Sequence, residues 1–527
     1  MGTRSIENDI SVRHKKLLCF TGIFLAVCLY AYRLFLLLDY AFKYVDNDTA
    51  IYWLGTVSYS NGFFPEPFFF GQRYGLMIES ILTVPFQLLH VPVWIAVPLV
   101  SMLIYTLPFI IIAVYTWKRD ALTSVLILLL PCLTGLKYDI VTTVPRAFGG
   151  SYLIAIIGSL LVISKFNGKP VFTQLWHGIG VFLMMLGVIA NLTSATIFCF
   201  VICCVIIRDF FNGKSFDENF HAHKYIGSLI GLFLGIALFF IFDSFYSNHP
   251  DYDFFPSPAL NFSLKSFSEN MSEIRTIFAG LSPADNLWFI CPALIVLISI
   301  FILIVRWKSG WHLPFVMIMC LIGTLLFMAM DKSREFDADA YLYSQIRLYV
   351  FIPYLIAMLL CISTFYEKKT VDAAKARPVL YIAVPVMAVL ILLTGITKAL
   401  TLHNAIKQGN KALTEGDNYL RVKTVESIID ESKKTKEFCL DNNIQYVVYF
   451  IPYDSTSAYT IAALDYDTLT TFNAHFERRT WIYNELNEKR SDPVKIYAIF
   501  EDRSGVITIP SDVTVVQYLS DLGYKRK

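Results

Sequence analysis

Long apolar runs separated by short charged breaks fill the first 400 residues. They lie at 17–38, 92–117, 121–136, 147–164, 174–190, 193–207, 225–243, 287–305, 312–330, 345–365 and 379–400. A helix needs roughly 20 apolar residues to cross a bilayer, so the pattern predicts about eleven spans. Several contain proline (Pro98, Pro108, Pro131, Pro314, Pro353, Pro385), which membrane helices tolerate because neighbouring groups satisfy the freed backbone. Tyr74–Leu89 is also apolar, but it is short and carries Glu79 and Pro85; it reads as an interfacial helix. No small-residue cleavage site follows Leu17–Leu38, so that run reads as a retained anchor.

Beyond residue 400 the pattern shortens. Arg421–Asn442 is helical, with Val425, Ile428, Ile429, Ser432 and Lys436 on one face. Ile444–Ile451 and Lys495–Phe500 read as buried strands, and Thr468–Leu486 reads as a helix between them. Such alternation predicts a small α/β unit. The expected fold is therefore a polytopic α-helical membrane protein, residues 1–400, followed by a soluble extracytoplasmic α/β domain, residues 401–527.

Composition sharpens the division. Hydrophobic residues make up 56% of the 527 and charged ones 16%, against about 25% charged in ordinary globular domains. Residues 1–400 are 13% charged and residues 401–527 are 27%. A net charge of +2 is too small to suggest nucleic acid as a partner. Nine of ten cysteines lie in apolar runs with no CxxC pair, and His90, His177, His312 and His403 are isolated. No cofactor is implied; the reading leaves room only for a divalent cation. With the N-terminus inside, 17 basic residues fall in the inner segments and nine in the longer outer loops. That satisfies the positive-inside rule and puts 39–91, 244–286, 331–344 and the tail outside.

Charges in an oily chain mark sites. The first outer loop is the richest: Asp39, Lys43, Asp46, Asp48, Glu66, Arg73 and Glu79. Within YVDNDTAIYWLGTVSYSNGFF a helix begins near Asp48. Asp48 or Thr49 could cap it, with Tyr52, Trp53 and Val57 toward the membrane. Locally, two readings stand: the aspartates cap an interfacial helix, or they carry chemistry. Arg33 reads as a snorkelling anchor near the end of the first span, and Arg146 as a partner for Asp139 or a ligand.

This loop and the segments after it resemble the multi-span GT-C glycosyltransferases, in the protein mannosyltransferase and aminoarabinose transferase branch. The resemblance rests on Asp48-Thr49-Ala50-Ile51-Tyr52, on Gly71–Leu89, on Trp117-Lys118-Arg119, and on Arg347-Leu348-Tyr349-Val350-Phe351-Ile352-Pro353. The chain departs from the family at Thr49, where a glutamate is usual. It departs again at Gly71-Gln72-Arg73-Tyr74-Gly75, in place of a proline-rich turn, and at Leu348, which separates Arg347 from Tyr349.

The resemblance implies an inverting transfer of a sugar from a polyprenyl-phosphate donor to an acceptor hydroxyl of a glycan, lipid or protein. The reaction would lie at the outer face of a bacterial cytoplasmic membrane, in cell-envelope synthesis. Asp48 would act as base and Asp46 would position the acceptor or replace it. Arg73, Lys137, Arg146 and Arg347, with Tyr74 and Tyr349 beside them, would bind the lipid phosphate. The alternatives are a transporter or flippase of lipid-linked sugars, which should show repeats or mid-span charges, and a polysaccharide polymerase or ligase.

Overall fold

A computed structural model describes residues 2–132, 149–164, 170–212, 222–249, 350–364, 422–451, 455–475 and 477–521. It also describes scattered positions between them, including 139, 142, 143 and 145. The first helix, α1 (Gly2–Leu36), runs into a π-helical turn at Leu37–Ala41. A two-residue strand β1 (Tyr44–Val45) follows, then α2 (Asn47–Ser60), α3 (Ile78–Leu88), α4 (Val93–Trp117), α5 (Ala121–Leu129) and α6 (Gly149–Ile163). Next come α7 (Pro170–Ala190), α8 (Ala195–Asn212), α9 (Ala222–Ser247) and α10 (Phe351–Ser363).

Four segments among the described residues are long and apolar enough to cross a membrane: Lys15–Ala41, Val93–Trp117, Val171–Ala190 and Tyr225–Ser247. Helices α3, α6 and α10 are apolar but shorter. The 11 residues of α3 span about 16 Å at 1.5 Å per residue, well short of the ~30 Å hydrocarbon layer. The chain is thus a polytopic helical membrane protein. The expected runs at 287–305 and 312–330 lie outside the described residues.

The interior is shared by α4, α5, α6, α8 and α10, with Tyr105, Phe109, Tyr152, Phe200 and Tyr354 at its centre. By contrast, α9 leaves Leu229, Ile230, Phe233, Phe240 and Ile241 exposed, a surface suited to lipid. Helix α7 lies between α6 and α9 with small residues at the contact. A Cβ on Gly180 would come within 2.7 Å of the Gly158 carbonyl, and one on Gly178 within 2.9 Å of the Gly227 carbonyl. Glycine there lets the backbones touch.

The C-terminal residues form β2 (Lys423–Thr424), α11 (Val425–Asp441), β3 (Tyr446–Tyr449), α12 (Ser455–Leu464) and β4 (Thr470–Asn473). They continue with α13 (Thr480–Leu486), β5 (Val494–Ile499), β6 (Ser504–Ile509) and α14 (Val515–Asp521). The sheet order is β4-β3-β5-β6, with β3 parallel to both β4 and β5 and β6 antiparallel to β5. Helix α11 and strands β3 and β5 fall where the apolar pattern puts them. Thr468–Leu486 is not one helix: it holds β4 and, after a turn, α13.

This unit is joined to the membrane helices close to the end of α1. Strand β2 pairs antiparallel with β1, Tyr44 opposite Thr424 and Val45 opposite Lys423, and the Val425 N–H donates to the Lys43 carbonyl at 2.8 Å. One apolar cluster then includes residues from α2, the following loop, α4, α11 and α12: Tyr52, Trp53, Phe70, Val97, Ile428 and Tyr459 among them. The C-terminal unit and the first loop are one packed body, because neither buries its apolar face without the other.

Candidate functional site

Helix α2 starts where the sequence asks it to. Asp46 is its N-cap in extended geometry (φ −120°, ψ 176°), and its Oδ1 accepts from the Thr49 N–H at 2.8 Å. Such a cap stabilises a helix by about 1 kcal/mol. Asp48 lies in the first turn and is half-buried, where the positive end of the helix favours its charge. Of the residues the sequence offers for the cap, Asp46 fills it, and Asp48 and Thr49 do not.

The rest of α2 differs from an interfacial helix. Every residue from Thr49 to Tyr59 is buried, so Tyr52, Trp53 and Val57 face protein and not lipid. Gly55 packs on Met77, and the Ser80 hydroxyl of α3 donates to the Tyr52 carbonyl at 2.9 Å. On the opposite side α12 covers the helix, the Thr456 hydroxyl donating to the Asn47 side-chain oxygen. The beginnings of α2 and α12 therefore meet, and Asp46 and Asp48 lie at that junction.

The loop after α2 is held by Glu66. Its Oε1 accepts from the Thr480 N–H at the start of α13 (2.7 Å) and its Oε2 from the Gly71 N–H (3.1 Å). A carboxylate from the first loop thus caps a helix 414 residues away. Burial pushes the Glu66 carboxyl up to about 7, while the Thr480 and Gly71 donors pull it down. Gly71 has φ +71°, and a Cβ there would come within 2.7 Å of the Arg478 carbonyl; only glycine fits. Beneath it Glu477 and Arg479 form a buried pair at 2.7 Å, the guanidinium also donating to the Thr471 carbonyl. Arg73 and Tyr74 follow in the same loop and are half-buried.

Glu79 opens α3 and is almost fully buried. Its Oε1 accepts from the Gly150 N–H at the start of α6 (3.2 Å), whereas its Oε2 meets no donor among the described residues. Arg33 is not a snorkelling anchor. It is 3% exposed, ion-paired with Asp139 at 3.0 Å and stacked 4.4 Å from the centre of the Tyr105 ring. Snorkelling needs a path to water, and Asp139, Thr142 and Tyr105 close it. Lys137, Arg146, Arg347 and Tyr349 lie outside the described residues. So the structure places Asp46 and Asp48 at the start of α2 and Arg73 and Tyr74 in the loop after it, and it gives Glu66, Glu79 and Arg33 partners too distant in sequence for local pattern to signal.

A surface cavity of about 560 Å³ opens beside β1 and β2, lined by Phe42, Lys43, Val425, Ile429 and Lys433 among others. None of the candidate residues lines it. Among the described residues no group of three or more His, Cys, Asp or Glu side chains is arranged to hold a metal.

Fold and site together define a polytopic helical membrane protein whose first loop carries an acidic helix start under a C-terminal α/β unit. No known protein family matches the chain by sequence, and no curated protein does. Two solved structures are similar to it. ArnT from Cupriavidus metallidurans in the apo state aligns with a TM-score of 0.47 at 10% identity, covering 90% of this chain and 92% of that one. The same protein bound to undecaprenyl phosphate aligns with a TM-score of 0.46 at 10% identity over the same shares.

Proposed function

We propose that the protein is an integral membrane glycosyltransferase. It moves a sugar from a polyprenyl-phosphate donor to an acceptor hydroxyl at the outer face of the membrane, with inversion, in the synthesis of cell-envelope glycans or glycolipids. The observation that carries this reading is the placement of Asp48. It lies in the first turn of a buried helix soon after the first span, behind the Asp46 cap and next to Asn47, which α12 contacts.

Asp48 takes the proton of the acceptor hydroxyl as the oxygen attacks the anomeric carbon. The bond from that carbon to the phosphate oxygen breaks, and its electron pair leaves with the polyprenyl phosphate. The leaving phosphate gains charge, so cations near it stabilise the transition state; Arg73, Lys137, Arg146 and Arg347 are the residues assigned that role, with Tyr74 and Tyr349 against the donor. Asp46 has one oxygen in the helix cap, which supports Asp48 as the base and Asp46 as the residue that positions the acceptor. Residues 401–527 are read as an extracytoplasmic domain covering this site.

The acceptor is a glycan, a lipid or a protein. Enzyme and transporter are separated by one assay. Purified protein in detergent micelles, with no second compartment, transfers sugar from a polyprenyl-phosphate donor if it is an enzyme. If it only moves the lipid-linked sugar across a bilayer, it produces no transfer there.

A further inference from the structure

The C-terminal unit grips the start of α2 at two points. Strand β1 pairs with β2, so Val45, the residue before Asp46, stands opposite Lys423. The Thr456 hydroxyl of α12 donates to the side chain of Asn47, the residue before Asp48. The two grips are tied to each other. Lys423 Nζ donates to the Ser457 hydroxyl at 2.5 Å, and Ser457 follows Thr456 in α12. These links close a ring that runs from Val45 to Lys423, on to Ser457 and Thr456, across to Asn47, and back through Asp46.

Helix α11 braces the ring. The Ser457 hydroxyl donates to Glu431 Oε2 at 3.0 Å, the Tyr449 hydroxyl donates to Glu431 Oε1 at 2.6 Å, and Lys423 Nζ lies 3.8 Å from Glu431 Oε2. Lys423 and Glu431 are both partly exposed, so their pair contributes at most about 1 kcal/mol to stability. The packing of α11 on α12 is secured elsewhere. Just past the far end of α12, Asp465 accepts from the Ser432 hydroxyl and from Lys436 Nζ, both on α11, and Ile428 and Tyr459 share one apolar cluster with α2. Loss of Lys423 therefore leaves the fold standing. Rate is more sensitive than stability here, since a displacement of about 1 Å at a reacting group can cost on the order of 10²-fold.

We infer that Lys423 is a positioning residue for Asp48: by tying β2 to the start of α12, it sets the first turn of α2 in place from the C-terminal unit. The inference rests on the proposed role of Asp48 as the base. Its test is steady-state transfer from a polyprenyl-phosphate sugar by the purified full-length protein in detergent, with thermal midpoints measured alongside. Lys423→Met and Ser457→Ala open the ring, and Lys423→Arg keeps a cationic donor in it. Lys436→Met is the control, because it loosens α11 from α12 away from the ring. The double variant Lys423→Met with Asp48→Asn asks whether the two residues act through one another.

The expected result is a kcat about tenfold lower in Lys423→Met and Ser457→Ala, with the donor KM and the thermal midpoint close to wild type. Lys423→Arg should keep most of the rate and Lys436→Met all of it. Adding Lys423→Met to Asp48→Asn should lower the rate no further, because residues that act as a unit are not additive. A full rate in Lys423→Met, or losses that multiply in the double variant, would overturn the inference and leave Asp48 standing as the base. So would a rate that falls only in step with the thermal midpoint. Asp48→Asn transferring at the wild-type rate would remove the base, and wild-type protein that transfers nothing would remove the enzyme; either takes this inference with it.

Discussion

Asp46 and Asp48 are two residues apart and do different work. Asp46 Oδ1 is engaged by the Thr49 N–H, so Asp46→Ala should lower stability by about 1 kcal/mol. Asp46→Asn, an equally good cap, should not, and thermal unfolding in detergent distinguishes the two. Glu66 makes a pH prediction. Its folded carboxyl is pushed up from 4.5 to about 7, so between those values the folded state holds a proton that the unfolded state has released. Stability contributed by this residue is therefore complete below about pH 4.5 and is lost as pH rises through about 7, by up to about 3 kcal/mol at 1.36 kcal/mol per unit. Glu66→Gln should flatten that part of the stability profile, measured by unfolding midpoints from pH 4 to pH 8.

Among the elements, the loop between α2 and α3 depends on Gly71. Its φ of +71° and the nearby Arg478 carbonyl leave no room for a side chain. Gly71→Ala should cost about 2 kcal/mol or more, from the left-handed backbone and the displaced contact, and should loosen α13 from Glu66. Faster proteolysis within residues 465–490 would register it. Most membrane helices were legible because long apolar runs have one outcome in a bilayer, and α3 was legible as too short to cross. Helix α2 was legible as a helix but not as a buried one. Its sequence NDTAIYWLGTVSYS mixes polar and apolar residues all round, and periodicity does not name the partner that covers the polar side. Helix α12 (STSAYTIAAL) and strand β4 (TTFN) escaped for a related reason. Both are short and rich in Ser or Thr, and they are buried by neighbours that local sequence does not contain.

At the scale of the full chain, the C-terminal unit is part of the fold of the first loop and is not a separate appendage. The β1–β2 pair, the Glu66 cap and the shared cluster around Tyr52, Trp53 and Tyr459 all cross between them. A chain ending at residue 400 should therefore expose α2 and lose transfer even though every candidate residue is retained; ANS binding and transfer by the truncated protein check this. The long-range contacts of the fold, Arg33 with Asp139 among the N-terminal segments and Glu66 with Thr480 between loop and C-terminal unit, join residues 106 and 414 apart. Sequence periodicity reports the face of an element and is silent on such pairs, which is why Arg33 read as an anchor. The proposed mechanism turns on Asp48 accepting the proton of the acceptor hydroxyl. The decisive experiment is the rate of sugar transfer from a polyprenyl-phosphate donor by purified wild-type, Asp46→Asn and Asp48→Asn proteins of matched stability. Asp48→Asn should lower kcat by about 10²-fold or more, with Asp46→Asn affected far less; full transfer by Asp48→Asn would refute the assignment of the base.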